Sequence, residues 1–497
     1  MSETIDAEVC IVGAGIAGLF AALTLPENTD IVVIDKGAVG EGSSPLAQGG
    51  MAAAVGPDDS WERHLADTIA AGADLVDVHA AEIMCREAPE RVRDLIGLGC
   101  EFDRAPDGGL DFAREAGQSV PRSVHRADAT GAEIVRALRL ATASRVRRVE
   151  ACASGLAVVD DECRGVWAIG EGGRLLVRAG ATLIATGGAG ALFSSTTNNP
   201  ASIGDALSVA AAAGARLIDL EFVQFHPTAL AVEKSPRPLL TEALRGAGAQ
   251  LLDAEGRRFM VGRHADAELA PRHVVTAAIL DVGEAFLDAT GIGTDRLEAE
   301  FPTVVTSCRE HGFDPATQPV PVAPAAHYLI GGIATDLDAR ANLPGLFAAG
   351  ECAGTGVHGA NRMAGNSLAE AVVFAKRAAD AIAEDGIVPA SADPEWAEPP
   401  DVAAPAEELR KDVVEAVTLG AGAVRDASSS RKALTQLDEL GQRLGSGGQF
   451  WEETAAMVAS GRLLVHAALA REETRGVHVR ADFPETDPEL DGVHFER

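Results

Sequence analysis

Residues 13–18 read Gly13-Ala14-Gly15-Ile16-Ala17-Gly18, and an acid, Asp35, follows about twenty positions on. Three glycines at this spacing suit a backbone that must come against a pyrophosphate. Gly13 permits a tight turn, Gly15 lets phosphate oxygens reach the amides, and Gly18 lets a helix pack closely on a strand. Amides at a helix N-terminus carry partial positive charge and cradle phosphate oxygens. A carboxylate at Asp35 can accept hydrogen bonds from the ribose hydroxyls of an adenosine. The chemistry is dinucleotide binding, provided that strands and a helix frame the loop.

The flanking sequence supplies that frame. Val9-Cys10-Ile11-Val12 reads as a short buried strand, Leu19 to Leu25 as a helical run, and Ile31-Val32-Val33-Ile34-Asp35 as a second buried strand ending on the acid. Two further strand-and-glycine segments occur far downstream, Thr182 to Gly188 and Leu343 to Glu351, so the sheet resumes late in the chain. The stretch between about Glu221 and His327 then reads as an insertion. Pro389 to Pro405 is rich in proline, alanine and acids and reads as a linker. Beyond it, Leu409, Val413 and Val417, then Leu434, Leu437, Leu440 and Leu444, recur at helical spacing. The segment from Phe483 to Pro488 reads as a loop.

Composition narrows the partners. The chain has 497 residues, enough for two to four domains at roughly 100–200 residues each. No apolar run approaches the ~20 residues of a membrane helix. The acidic start, Met1 to Asp6, lacks the basic region of a secretory signal. A cytoplasmic protein with no membrane partner is expected. The seven cysteines sit at no metal-ligand or redox spacing, so no metal site is expected. A net charge of -32 repels nucleic acid. Lysine is scarce, at positions Lys36, Lys234, Lys376, Lys411 and Lys432. An acidic, lysine-poor surface points to a halophilic, salt-adapted enzyme.

More motifs join the first glycine loop. They include Ala47-Gln48-Gly49-Gly50, Gly204-Asp205, Phe222 to Thr228 (FVQFHPT), Leu239 to Gly246 (LLTEALRG) and Glu268 to Arg272 (ELAPR). His327-Tyr328, Gly331-Gly332-Ile333, Ala349-Gly350-Glu351 and His358 to Leu368 (HGANRMAGNSL) complete them. In this order they resemble the succinate dehydrogenase/fumarate reductase/aspartate oxidase flavoprotein family over essentially the whole chain. The resemblance implies an α/β fold: a Rossmann-like FAD-binding domain with an inserted α+β capping domain and a C-terminal helical domain. The FAD-binding domain would take residues 1–220 and 329–388, the mobile cap 221–328, the linker 389–405 and the helical domain 406–497. The implied FAD contacts are Gly13, Ala14, Gly15, Ile16, Ala17, Gly18, Asp35, Lys36, Ser43, Ser44, Gln48, Gly49, Gly50, Asp205, Glu351, Asn366, Ser367 and Leu368. The dehydrogenases usually carry a histidine five residues before the glutamine of AQGG, bonded covalently to FAD. Ser43 stands there, so the FAD is expected to be non-covalent.

The family's substrate positions also find matches. His226, Thr241, His327 and Arg362 align with groups that bind a dicarboxylate, and Arg362 can grip one carboxylate bidentately. Glu115 matches the acid that aspartate oxidases set against the substrate ammonium. Arg272, with Glu242 as its partner, matches the proton-handling arginine. A guanidinium, with an ordinary pKa above about 12, is a poor base. Arg272 is therefore read as an electrostatic anchor and a proton relay. The activity implied is oxidation of L-aspartate to iminoaspartate by hydride transfer to FAD. Oxygen or fumarate would take the electrons. This is the first step of de novo NAD biosynthesis, with functional coupling to quinolinate synthase. The alternatives are a soluble fumarate reductase or succinate dehydrogenase flavoprotein, which Glu115 and Ser43 oppose, and a non-catalytic flavin-binding or RNA-modification scaffold, which the acidic charge and the set His226, Arg272, His327 and Arg362 oppose.

Singly, these residues have plainer roles. His226 would be a satisfied core histidine, Thr241 a helix N-cap, and Arg272 the salt-bridge partner of Glu268. Glu115, Lys36 and Asp205 would be solvated surface charges.

The salt reading has a direct test. Mutual repulsion among surface acids weakens the fold at low ionic strength, and salt screens it. Thermal midpoints should rise from dilute buffer to molar potassium chloride; equal midpoints would exclude halophilic adaptation.

Overall fold

The computed structural model describes residues 3–37, 42–387, 407–444 and 453–497. In chain order the first sheet contains β1 (Glu3–Val12), β2 (Ile31–Asp35), β3 (Arg147–Val159), β4 (Glu162–Gly170) and β5 (Gly173–Ile184). Helix α1 (Ile16–Thr24) joins β1 to β2. The insertion contributes β6 (Val223–Leu230), α2 (Glu242–Gly246), β7 (Gln250–Asp253), α3 (Arg272–Val282), β8 (Ala285–Asp288), α4 (Pro302–Glu310) and β9 (Val320–Leu329). The chain then returns through β10 (Leu346–Ala348) and α5 (Asn366–Asp385). It continues with α6 (Arg410–Ala421), α7 (Ala427–Leu444) and α8 (Glu453–Ala470).

β1 lies between β2 and β5, with Val9 opposite Ile31 and Ala181, all parallel. β10 adds in parallel to the far side of β5, and β3 to the far side of β2. β3, β4 and β5 also form an antiparallel meander. Successive side chains of a strand point to opposite faces, and here both faces are covered. Val9, Ile11, Ile31 and Val33 pack with Phe20 of α1 and Phe374 of α5. Cys10, Val12, Val32 and Ile34 belong to the core that Val413, Leu437 and Val465 of the C-terminal helices complete. This is why those strands are apolar without alternation. The proposed linker, 389–405, lies outside the described residues.

The insertion has its own sheet, ordered β6-β9-β8-β7 and antiparallel. Its core is separate and built around Leu251, Val275, Leu287 and Val304. The contacts that hold it over the first domain include two from side chains of that domain. Asp128 accepts from the amides of Thr303 and Val304 at 3.2 and 3.0 Å, at the N-terminus of α4. There a carboxylate meets the positive end of the helix dipole. Gln48 Nε2 donates to Leu239 O at 2.9 Å.

The C-terminal segment is bolted down by buried charge. Arg471 Nε donates to Glu221 Oε1 at 2.6 Å, one residue before the Phe222 motif. Glu473 Oε1 accepts from Arg471 and Arg475, each at 2.9 Å, and all three side chains are fully buried. Removing one member of such a network strands the others without solvent. Glu473→Ala should therefore destabilise by about 3–5 kcal/mol in denaturant unfolding. Breaking the exposed Lys411–Glu415 pair with Glu415→Ala should shift the midpoint hardly at all. Equal effects would refute the network's role.

Candidate active site

The glycine loop folds as its spacing requires. Gly13 has φ +109°, and a Cβ there would meet Ala185 O at 2.3 Å. A Cβ on Gly18 would lie 2.1 Å from Gly13 O. The N-cap of α1 is Gly15, which has no side chain to close the helix end. The first amides of α1 therefore stand open to the cavity beside it, save Ile16 N, which donates to Ser44 Oγ at 3.3 Å.

That cavity has an empty volume of about 1610 Å³, including its open mouth. It runs from Gly13 to Ala17, Asp35 and Lys36, past Ser43, Ser44 and Asn198, to Glu351, Ser367, Leu368, His327 and Arg362. Burial pushes Asp35 up to about 6, with Arg148 opposing. Burial likewise raises Glu351 to about 7, although Leu329 N donates to its Oε1 at 2.9 Å. Ser43 Oγ faces Ser202 Oγ at 2.9 Å and accepts from Asn199 N at 3.0 Å.

Several implied contacts lie elsewhere. Asp205 does not line the cavity. It sits behind Lys36, whose ammonium it holds at 2.9 Å with Glu453 at 3.3 Å. Neither Lys36 nor Asp205 is a solvated charge. Asn366 turns its side chain inward to His64 and Thr68. Gly18 packs against the Gly13 turn. Gln48, Gly49 and Gly50 stand off the cavity wall. Gly50 N donates to Glu115 Oε1 at 2.8 Å, and Gln48 reaches across to the cap.

FAD fits this wall. Long cavity, open helix amides, Asp35 and Lys36 near the loop and Ser367 at the head of α5 match the parts of a dinucleotide. In this wall, Arg362 Nε is a buried polar atom with no hydrogen-bond partner among the described residues. Buried polar atoms in this state call for a polar ligand.

At the inner end the cap completes a cluster of charge. β6 and β9 pair Gln224 with Tyr328 but Phe225 with Ala326, which leaves His327 in a bulge. A second irregularity follows His226. Bulges re-aim side chains, and these bring the His226 and His327 rings to 5.2 Å between centroids. Burial first, then Arg272, holds both imidazoles well below their ordinary value. Thr228 N donates to His226 Nδ1 at 3.3 Å, so the neutral ring carries its proton on Nε2. His327 Nδ1 pairs with Thr197 Oγ1 at 2.8 Å.

Arg272 opens α3 and donates from Nε to Glu242 Oε2 at 2.6 Å and from Nη1 to Gln224 Oε1 at 2.8 Å. Its partner is thus Glu242, because Glu268 is taken by Arg258. Arg245 lies fully buried behind Glu242, 3.7 Å from Oε2. Thr241 caps α2, its hydroxyl accepting from Ala243 N at 3.4 Å. Arg362 Nη1 donates to Ser367 Oγ at 3.1 Å, and burial lowers its pKa to about 10. Glu115 is buried, not a surface acid. Burial pushes it up to about 7, with Gly50 N, Arg272 and Arg362 opposing and Glu242 reinforcing.

Sequence reasoning gave no role to Gln224, Arg245, Asn198 or Tyr328. The first, second and fourth lie inside motifs already quoted; Asn198 belongs to the polar run Thr197-Asn198-Asn199 before Pro200.

The chain is similar to known proteins over nearly its whole length. Residues 8–368 match the family described as FAD binding domain, and residues 410–492 that described as fumarate reductase flavoprotein C-term. An L-aspartate oxidase of Streptomyces coelicolor is 44% identical, with 97% of this chain and 90% of that protein covered. One of Caulobacter vibrioides is 45% identical, over 96% and 94%. A quinol fumarate reductase structure from E. coli superposes with a TM-score of 0.88 at 29% identity, covering 98% of this chain and 93% of that one. The chain therefore belongs to the succinate dehydrogenase/fumarate reductase/aspartate oxidase flavoprotein family, and binds FAD.

Proposed function

We propose that the protein is an L-aspartate oxidase, converting L-aspartate to iminoaspartate with fumarate or oxygen as electron acceptor. The observation that carries this is Glu115, a buried carboxylate within the influence of Arg272 and Arg362. A dicarboxylate without an amine has no use for it; an ammonium does.

FAD, when bound, supplies the hydride-accepting chemistry. The chain's own groups do the rest. Arg362 grips one carboxylate, and His226 donates from Nε2 to the other, with His327 and Thr241 alongside. Neutral imidazoles donate hydrogen bonds without the cost of burying two more cations. Glu115 orients the ammonium and so the bond to be broken. Arg272, tied to Glu242, anchors negative charge and relays a proton when fumarate is the substrate. The cap excludes water while it stays latched. The product is the imine of a keto diacid, consistent with the first step of de novo NAD biosynthesis and with coupling to quinolinate synthase in the cytoplasm of a salt-adapted cell. The fumarate reductase reading keeps the same carboxylate grips but leaves Glu115 unexplained.

Each of these roles can be tested. With Ser43 in place of a linking histidine, acid precipitation should leave all yellow colour in the supernatant; flavin on the pellet would contradict non-covalent binding. Glu115→Gln removes a charge-assisted contact, so kcat/KM for aspartate should fall roughly 10- to 200-fold. Fumarate reduction should fall much less, whereas Arg362→Leu should abolish both. Because Glu115 ionises near 7, wild-type kcat/KM for aspartate should rise as pH climbs through about 7. That limb should vanish in Glu115→Gln. Equal damage to both activities would assign Glu115 to the fold or the flavin.

A further inference from the structure

Tyr328 is the chain's single tyrosine, and it lines the cavity next to His327. The Arg362 Cζ atom stands 4.5 Å from the centroid of its ring. On the other side, the Tyr328 hydroxyl donates to Glu370 Oε2 at 2.7 Å. His358 Nε2 lies 2.9 Å from the same oxygen, and the Thr355 hydroxyl donates to Oε1 at 2.5 Å. Glu370 and His358 are shut away from solvent. Burial alone would push the Glu370 carboxyl up, but His358 and the hydrogen bonds hold it below the usual range. Burial and the adjacent Glu370 keep the phenol protonated.

This cluster stands outside the substrate contacts, yet it touches the residue that makes one. A cation over an aromatic face is drawn by the ring quadrupole. A phenol that donates to a carboxylate is more electron-rich, which strengthens that attraction. Arg362 has no carboxylate within ion-pair distance among the described residues, in contrast to Arg272. Its side-chain hydrogen bond goes to Ser367, and its Nε has no partner. A carboxylate partner would compete with the substrate for the guanidinium. A ring holds the cation by its face and, beyond the bond to Ser367, leaves its in-plane donors free. Tyr328 also faces Gln224 across β6 and β9, and its hydroxyl ties β9 to α5. One side chain thus sets the cap's return strand, the guanidinium and the flavin-facing helix relative to one another.

We propose that Tyr328, braced by Glu370, His358 and Thr355, is the positioning residue that presents Arg362 to the substrate carboxylate. The proposal rests on the reading of Arg362 as a carboxylate grip, and does not depend on which dicarboxylate is used.

The test uses FAD-loaded Tyr328→Leu, Tyr328→Phe and Glu370→Gln. Readouts are bound flavin, thermal midpoint, KM and kcat for aspartate and fumarate, and succinate affinity from the flavin absorbance. Loss of the ring in Tyr328→Leu should raise both KM values and the succinate Kd by about 2- to 30-fold, with kcat changed far less. Tyr328→Phe keeps the ring and should restore most of the affinity. Glu370→Gln keeps a hydrogen-bond acceptor but removes the charge, and should weaken succinate binding by a smaller factor. Unchanged affinity in Tyr328→Leu would overturn the proposal, as would Tyr328→Phe proving as damaging as Tyr328→Leu. Should Tyr328→Leu fail to hold FAD, unchanged affinity in Glu370→Gln would overturn it instead. If aspartate is not oxidised by the wild type, succinate binding still reads the grip, so failure of the aspartate reading is separable.

Discussion

Guanidinium groups taken out of water need carboxylates, and at the inner end of this cavity Arg245, Arg272 and Arg362 lie about Glu242, whose pKa is held down, while burial raises Glu115 and Glu351 to about 7. Arg272 and Arg245 both turn toward Glu242, while Arg362 stands over a ring instead of an acid. Burying an uncompensated charge is costly in a low-dielectric interior. In the proposed reading, a dicarboxylate would satisfy this surplus of positive charge on entering. The two histidines do not add to the surplus, because burial and Arg272 keep them neutral. Glu115 subtracts from it only when ionised, and its raised pKa near 7 leaves that state available for an ammonium to stabilise.

The rest of the architecture serves to keep this cluster dry and in register. The parallel sheet, covered on both faces, fixes the ends of β1, β2, β5 and β10 around the cavity. The inserted sheet then brings its own cations over the opening. Its two long strands, β6 and β9, depart from regular pairing at the places where His226 and His327 must face inward. Asp128 at the head of α4 and Gln48 at Leu239 hold the cap down by hydrogen bonds that a rotation of the cap would break. The C-terminal segment reaches the same region from behind: Arg471 pairs with Glu221 and lies 5.0 Å over the Phe222 ring. The start of β6 is thus held from behind by the charged tail, while β9 is tied to α5 through Tyr328.

Much of this was legible in the chain itself. The order of strand, glycine loop, helix, strand and acid depends on local backbone demands, and Gly13 and Gly18 show them in full: a Cβ at either would strike backbone. The continuous apolar strands announced a sheet buried on both sides, and the leucine spacing announced the last helices. Glu115, Arg272 and Arg362 were found by their place in motifs, and they converge.

Other features had no local signal. Asp205 and Asn366 sit in glycine-rich motifs like true cavity residues, yet one holds Lys36 and the other His64. Which carboxylate would take Arg272 was equally open: Glu268 is nearer in sequence, but folding gives that acid to Arg258 and leaves Glu242 for Arg272. Tyr328 was visible in a motif without a task, since a ring acquires one only when a cation is stacked on it from 34 residues away. The sequence by itself determined the backbone conformations, the apolar faces and the inventory of charges, because those depend on each residue and its neighbours. Tertiary structure alone decided how the charges pair, because burial makes pairing compulsory and only the packed chain brings partners within reach.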